Sequence, residues 1–162
     1  MTSFFLGIDN GGSVTKAVIF DAQGKDIAAA SARVPVLRPF AGATERDMEA
    51  LWQANVDVIR EALSASGLAP AQIAGIACTG HGKGLYLWGK DGAPAYHGIV
   101  STDGRAWRYP AQWAQDGTAE KVFVRTLQTP LACQPVALWR WLQDHRPEVL
   151  ERVQWVFAVK DY

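Results

Sequence analysis

Cysteine is scarce in this chain: only Cys78 and Cys133 occur among 162 residues. They stand far apart and in no metal-ligand spacing, which argues against a disulfide framework and suits a reducing compartment. An excess of charge of either sign is also missing, because 16 Lys and Arg balance 16 Asp and Glu. No overall field therefore draws the chain to nucleic acid or to an anionic membrane, and any anion site must be local. No apolar run nears the roughly 20 residues of a membrane span. The opening MTSFFLG has neither a charged n-region nor a long apolar h-region. Together these absences predict a cytoplasmic protein with no nucleic-acid or membrane partner. Repeats and low-complexity tracts are absent. His81, His97 and His145 show no zinc spacing, and no serine sits in a nucleophile elbow.

What the chain does have is material for a core: 49% of its residues are hydrophobic and 20% charged, enough for one domain or slightly more. Phe4 to Ile8 and Val14 to Phe20 read as strands, and Asp21-Ala-Gln-Gly24 turns into a weaker alanine-rich strand from Asp26 to Val34. Asp47 is placed to cap a helix whose apolar positions Met48, Leu51, Trp52, Val56, Ile59 and Leu63 recur at helical spacing, and Gly67 ends it. Ile73 to Cys78 returns as a strand, followed by an alternating strand at Leu85 to Trp88 and a turn at Asp91-Gly92. This order predicts an α/β fold. Helical character follows: Pro110 opens or kinks one segment, and Pro135 suits the first turn of another striped by Leu138, Trp139, Trp141 and Leu142. Glu148 to Val153 adds a further turn or two. Trp155 to Val159 has a buried-strand pattern and runs straight into the terminus, which suggests a chain cut from something longer.

Chemistry concentrates in the first turn. Asp9 is followed by Asn10, Gly11, Gly12 and Ser13, then by Thr15 and Lys16. Paired glycines open the backbone N–H groups to a bulky anion, short polar side chains surround them, and Lys16 adds a cation. Asp9 beside a phosphate is repulsive unless a divalent cation or a proton intervenes, so the carboxylate points to metal-bridged phosphoryl chemistry. The plainer reading stands beside it. Asn-Gly-Gly between apolar runs is an ordinary hairpin signal, since primed turns need positive φ at their central residues. The two readings are compatible.

GHGKG at Gly80 to Gly84 is not a Walker A loop: the required glycine falls at Ala77, and Gly84 stands where Ser or Thr would hold magnesium. Nor is it a dinucleotide fingerprint, because a strand rather than a helix follows. Alone it reads equally as a flexible connection. STDGRAW at Ser101 to Trp107 reads as an Asp-Gly turn, with Asp103 placed to cap a helix beginning near Arg105. Of the seven tryptophans, Trp52, Trp139 and Trp141 lie at core spacing, which favours packing over a sugar-stacking platform.

In order, GIDNGGSVTKAVIFD, GIACTGHGKGLYLW, IVSTDGRA and WVFAVKDY resemble the blocks of the FGGY carbohydrate kinases, built on the ribonuclease-H-like (actin-like ATPase) fold. The resemblance covers essentially the whole chain. It implies a mixed sheet with packed helices, belonging to the first domain of a longer protein with ATP in the cleft before a second domain. On that reading residues 1–162 are the N-terminal, substrate-binding side of a sugar kinase. The family's catalytic aspartate would lie beyond Tyr162, so no catalytic residue is assigned here and the chain alone is expected to be inactive. By the same similarity Asp9 would organise Mg2+ and the transferred phosphoryl group, with Asn10, Gly11, Gly12, Ser13 and Lys16 at the ATP phosphates. Gly12 departs from the family's usual threonine. His81, Gly82, Lys83 and Asp103 would face the sugar or polyol, with Arg105 supporting the turn. Glycerol kinases carry Arg-Glu and D-xylulose kinases Met-His where Gly82-Lys83 stands, and Gly-Lys-Gly looks most like the L-xylulose kinase branch. That makes a pentulose such as xylulose the expected substrate. An actin-like ATPase, a sugar-sensing regulator and a stand-alone sugar-binding module are the alternatives, and a homodimer of the full-length protein is left open.

Overall fold

The computed structural model describes residues 3–162. In chain order the strands are β1 (Phe4–Asn10), β2 (Val14–Asp21), β3 (Asp26–Arg33), β4 (Glu45–Arg46), β5 (Ile73–Gly80), β6 (Tyr86–Gly89), β7 (Gly98–Ile99) and β8 (Val153–Phe157). The helices are α1 (Met48–Ser66), α2 (Arg108–Gln115), α3 (Thr118–Thr126), α4 (Pro135–His145) and α5 (Pro147–Arg152), with a 3-10 turn at Pro70–Gln72. They form two compact units. One comprises the chain up to Pro35 with Asp47–His81, the other Val36–Arg46 with Gly82–Tyr162.

In the first unit β1, β2 and β3 form the expected antiparallel meander, and β5 adds to β1 in parallel, giving a mixed sheet of order β3-β2-β1-β5. One face of this sheet carries Leu6, Ala17, Ile19 and Ala30, which pack with Val58 and Ala62 of α1. Alanines along β3 let the helix approach closely, and α1 lies over β2 and β3. Asp47 caps α1 by accepting from the Ala50 N–H at 2.8 Å, and Gly67 closes it in the left-handed conformation at φ 66°.

The buried stripe of α1 differs from the one its apolar residues suggest. Met48, Leu51, Asn55, Val58 and Ala62 are buried, whereas Trp52 is 54% exposed. Asn55 is the reason. Its Nδ2 donates to Leu51 O at 2.9 Å and its Oδ1 accepts from the Thr15 hydroxyl at 2.8 Å, so a residue that reads as solvent-facing is satisfied inside and the helix turns Trp52 outward.

The second unit is built on Leu85, Leu87, Ile99, Ala106, Leu138 and Leu142, with Trp141 and Val149 completing the cluster. Pro135 opens α4 at its first turn, as its fixed φ favours. Pro110 sits early in α2, which begins at Arg108 after Trp107. Asp103 therefore does not cap that helix, contrary to the sequence expectation. The terminal strand also differs. β8 pairs antiparallel with β6 alone, and in that two-stranded ribbon Trp155 and Val156 stay 57% and 51% exposed; only Val159, beyond the strand, is buried. No helix among the described residues is long and apolar enough to cross a membrane.

Candidate active-site residues

In the first unit β1 extends through Asp9 and Asn10, so the acidic residue sits on the last rungs of a strand rather than within the turn. Side chains alternate along a strand, which sends Asn10 and Asp9 to opposite faces. Asn10 joins the α1 side: its amide lies 3.0 Å from the Thr15 hydroxyl, part of the polar cluster with Asn55. That side chain, expected at the phosphates, has a structural role. Asp9 faces the other way, into a concavity of about 330 Å³ shared with Gly7, Lys16, Val18, Phe20 and Thr79. Lys16 stands directly opposite Asp9 in the β1/β2 register, and no ion pair joins the two among the described residues.

The turn itself is not of the primed type, because neither Gly11 nor Gly12 adopts positive φ. Gly11 is required for another reason. Its N–H donates to Val14 O at 3.0 Å, and a Cβ there would stand 2.8 Å from that oxygen. The Gly11 amide thus closes the hairpin. A Cβ at Gly12 would meet nothing within 4 Å, so the family's threonine would fit, and Ser13 is exposed beside it.

These residues fit a magnesium–phosphate group in one respect that matters. The Asp9 carboxylate carries no hydrogen bond or ion pair within the described residues, and no group of three or more His, Cys, Asp or Glu converges among them, at Asp9 or elsewhere. Magnesium held by one or two carboxylates and the substrate's own phosphates needs no more from the protein.

The GHGKG block straddles the two units. His81 belongs to the first, where its N–H donates to Asn10 O at 3.1 Å and continues the β5/β1 pairing. Gly82 and Lys83 belong to the second. Lys83 and Gly84 take consecutive left-handed conformations at φ 67° and 75°, a bend that costs a non-glycine residue about 1 to 2 kcal/mol. Two contacts hold it. The Gly84 N–H donates to Cys133 O at 2.8 Å, and the Gly84 Cα packs so close to Ile99 O that a Cβ would lie 2.5 Å away. The bend sets Lys83 on the wall of a cavity of about 710 Å³, lined also by Val122, Pro130, Val136 and Phe157. Gln128 and Gln134 also line it. Neither is legible in the sequence as a site residue; the only signal is that Gln134 precedes Pro135 at the head of α4.

Asp103 and Arg105 lie deeper. Both side chains are sealed from solvent. The Asp103 carboxylate accepts the Thr44 N–H at 2.6 Å and the Arg105 N–H at 2.9 Å, while Arg105 Nη2 donates to Glu45 at 2.7 Å and to Asp103 at 2.8 Å. The guanidinium carbon sits 5.2 Å from the Phe40 ring centre and 5.0 Å from that of Trp141. Burial works against the Arg105 charge, but its hydrogen bonds to Asp103 and Glu45 outweigh it and hold the pKa above the ordinary value. With its oxygens engaged in this way, Asp103 anchors the loop to which a sugar-accepting role was assigned. Arg105 braces this turn through its bonds to Asp103 and Glu45.

Over residues 4–162 the chain matches the N-terminal domain of the FGGY family of carbohydrate kinases. The chain belongs to that family. It is 40% identical over 162 residues to the L-xylulose/3-keto-L-gulonate kinase of Escherichia coli (strain K12), covering all of this chain and 32% of that protein. It is 38% identical over 160 residues to a probable L-xylulose kinase of Pasteurella multocida (strain Pm70), covering 99% and 33%. Among solved structures, a gluconate kinase from Lactobacillus acidophilus superposes with a TM-score of 0.90 at 22% identity, over 98% of this chain and 32% of that one. The fold is thus that of the actin-like ATPase kinases, in their first domain. This FGGY chain spans about a third of the length of the curated relatives it matches.

Proposed function

We propose that this chain forms the N-terminal, substrate-binding side of an ATP- and magnesium-dependent cytoplasmic kinase that phosphorylates a hydroxyl of a small sugar, with a pentulose such as xylulose as the first candidate. The observation that carries the reading is the strained Lys83-Gly84 bend, which holds a cation on the wall of a cavity large enough for a pentose. Strain of this kind is kept where the surroundings enforce it, and it clusters at ligand sites. Relatives named for L-xylulose, 3-keto-L-gulonate and gluconate support a sugar or sugar acid as the ligand.

The proposed roles follow from the geometry. Asp9 would hold a magnesium ion, which would neutralise phosphate charge, and Gly12 and Ser13 would lie at the ATP phosphates, because phosphoryl transfer depends on positioning and charge neutralisation more than on covalent help. Lys83 would donate to sugar oxygens, while Asp103 and Arg105 position the surrounding loop. The general base would come from outside these residues, so the chain alone is expected to be inert.

The test uses the complete kinase carrying this chain. Lys83→Ala should raise the sugar KM far more than the ATP KM, and Asp9→Asn should abolish turnover while sugar binding persists. A complete protein that transfers phosphate to no pentulose, pentose, sugar acid or polyol would overturn the reading.

A further inference from the structure

A polar chain that begins on α1 ends at the turn carrying Gly12 and Ser13. Asn10 and Thr15 face each other on the last rung of the β1/β2 ladder, and beyond them the Gly11 N–H donates to Val14 O at 3.0 Å. Packing does not fix the tip: a Cβ at Gly12 would meet nothing within 4 Å, and Ser13 is exposed. Thr15 is fully buried, and its hydroxyl sits 3.0 Å from the Asn10 amide and 2.8 Å from that of Asn55. A threonine hydroxyl has one proton, so it donates to only one of the two. Leu51 O decides which. It meets the other end of the Asn55 amide at 2.9 Å, and a carbonyl only accepts, so Asn55 gives it Nδ2 and turns Oδ1 to the Thr15 proton. Asn10 therefore meets the Thr15 oxygen as a donor, with the NH2 end of its amide inward, an exchange of ends that leaves the shape unchanged. Each orientation follows from the one before it, from helix to hairpin.

We infer that Asn55 is a positioning residue for the ATP phosphates: by committing the Thr15 proton it sets the Asn10–Thr15 rung, and with it the backbone of the turn at residues 11–13, without touching nucleotide itself. This rests on the reading of that turn as the phosphate site. The reason is conformational freedom. Two adjacent glycines leave the turn a wide range of shapes, whereas groups that position a reactant work only when already in place, and a misplacement of about 1 Å can cost about a hundredfold. The Asn55–Thr15–Asn10 chain ties the last rung to a 19-residue helix that is capped at both ends. Stability alone does not call for it, because an apolar pair of the same shape at positions 15 and 55 would hold the fold nearly as well. What the amide adds is direction.

The experiment measures the ATP KM, the sugar KM and Tm of the complete kinase and of Asn55→Leu, Thr15→Val and the double variant. Each single variant should raise the ATP KM about tenfold and leave the sugar KM unchanged. Thr15→Val should also lower Tm, because it leaves the buried Asn55 oxygen unpaired. In the double variant both partners are apolar, so Tm should recover above that of Thr15→Val. Its ATP KM should stay raised by about tenfold, not by the roughly hundredfold that two independent effects would give. A merely structural role would not separate Tm from the ATP KM in this way, and the double variant carries the test should a single one fail to fold. An ATP KM that recovers together with Tm, or one that stays at the wild-type value throughout, would overturn this inference; with Asp9→Asn still abolishing turnover, the kinase reading would stand. An Asp9→Asn enzyme as active as the wild type would overturn both.

Discussion

Arg105 folds back on the carboxylate of Asp103, two residues before it, with Nε 2.9 Å from Oδ1 and Nη2 2.8 Å from Oδ2, and neither side chain reaches solvent. One cation thus answers two buried carboxylates, those of Asp103 and Glu45, while Phe40 and Trp141 lie against its π-faces. Removing it in Arg105→Ala strands both acids in the interior, which should destabilise the second unit by about 3 to 5 kcal/mol. Arg105→Lys should recover only part of this, since an ammonium cannot reproduce the planar fork. Denaturant unfolding followed by tryptophan fluorescence would read the loss, with Trp141 reporting at the site itself.

Two glycines of the candidate site should respond in opposite ways. Gly84→Ala places a Cβ 2.5 Å from the Ile99 backbone oxygen at φ 75°, so backbone must move and about 1 to 3 kcal/mol should be lost. The sugar KM should rise with it, because the Lys83 bend shifts. Gly12→Thr meets open space without positive φ and should change stability by no more than about 0.5 kcal/mol. If Gly12→Thr also improves the ATP KM, the missing hydroxyl at this turn is the cause.

The backbone of this fold was legible wherever the signal was local. The β1–β3 meander, the Asp47 cap, the Gly67 stop and Pro135 at the head of α4 all follow from turn and cap chemistry that a few adjacent residues carry. What was not legible depends on partners far along the chain. Nothing next to Asn55 in the sequence marks it as buried, because its partner Thr15 is 40 residues away. Asp103 looked like a helix cap or a sugar acceptor because Thr44 is 59 residues away. The blocks carrying Asp9 and Lys83 stood out through glycines and charge, whereas Gln128 and Gln134 carry no local mark and enter only when the chain folds them around the cavity.

The rotated stripe of α1 makes a quantitative contrast on one helix. Val58 is buried at 1% exposure against Leu6, Ala17, Ile19 and Ala30, and Val58→Ala should cost about 2 kcal/mol through lost burial and the cavity left behind. Trp52, much the larger side chain, is 54% exposed, and Trp52→Ala should cost well under about 1 kcal/mol. The reverse order would mean that Trp52, as its spacing suggested, is the core residue.

Burial pushes the Tyr86 phenol well above its ordinary pKa, only partly opposed by the positive charge of Arg46. The sign of its pH effect follows. The folded chain holds this proton more tightly than the unfolded chain, so the stabilisation is complete below the unfolded value of about 10 and is lost as pH rises from there toward the folded pKa. Tyr96 is shifted in the same direction, first by burial and then by Glu45, and steepens the same limb. Stability measured by denaturant titration should therefore fall progressively above about pH 10. Tyr86→Phe should flatten that fall, and absorbance near the phenolate band should show one tyrosine of the native protein ionising only as the fold is lost. A native chain whose tyrosines all ionise at the ordinary value, with fluorescence unchanged, would show that Tyr86 is not sealed in the core.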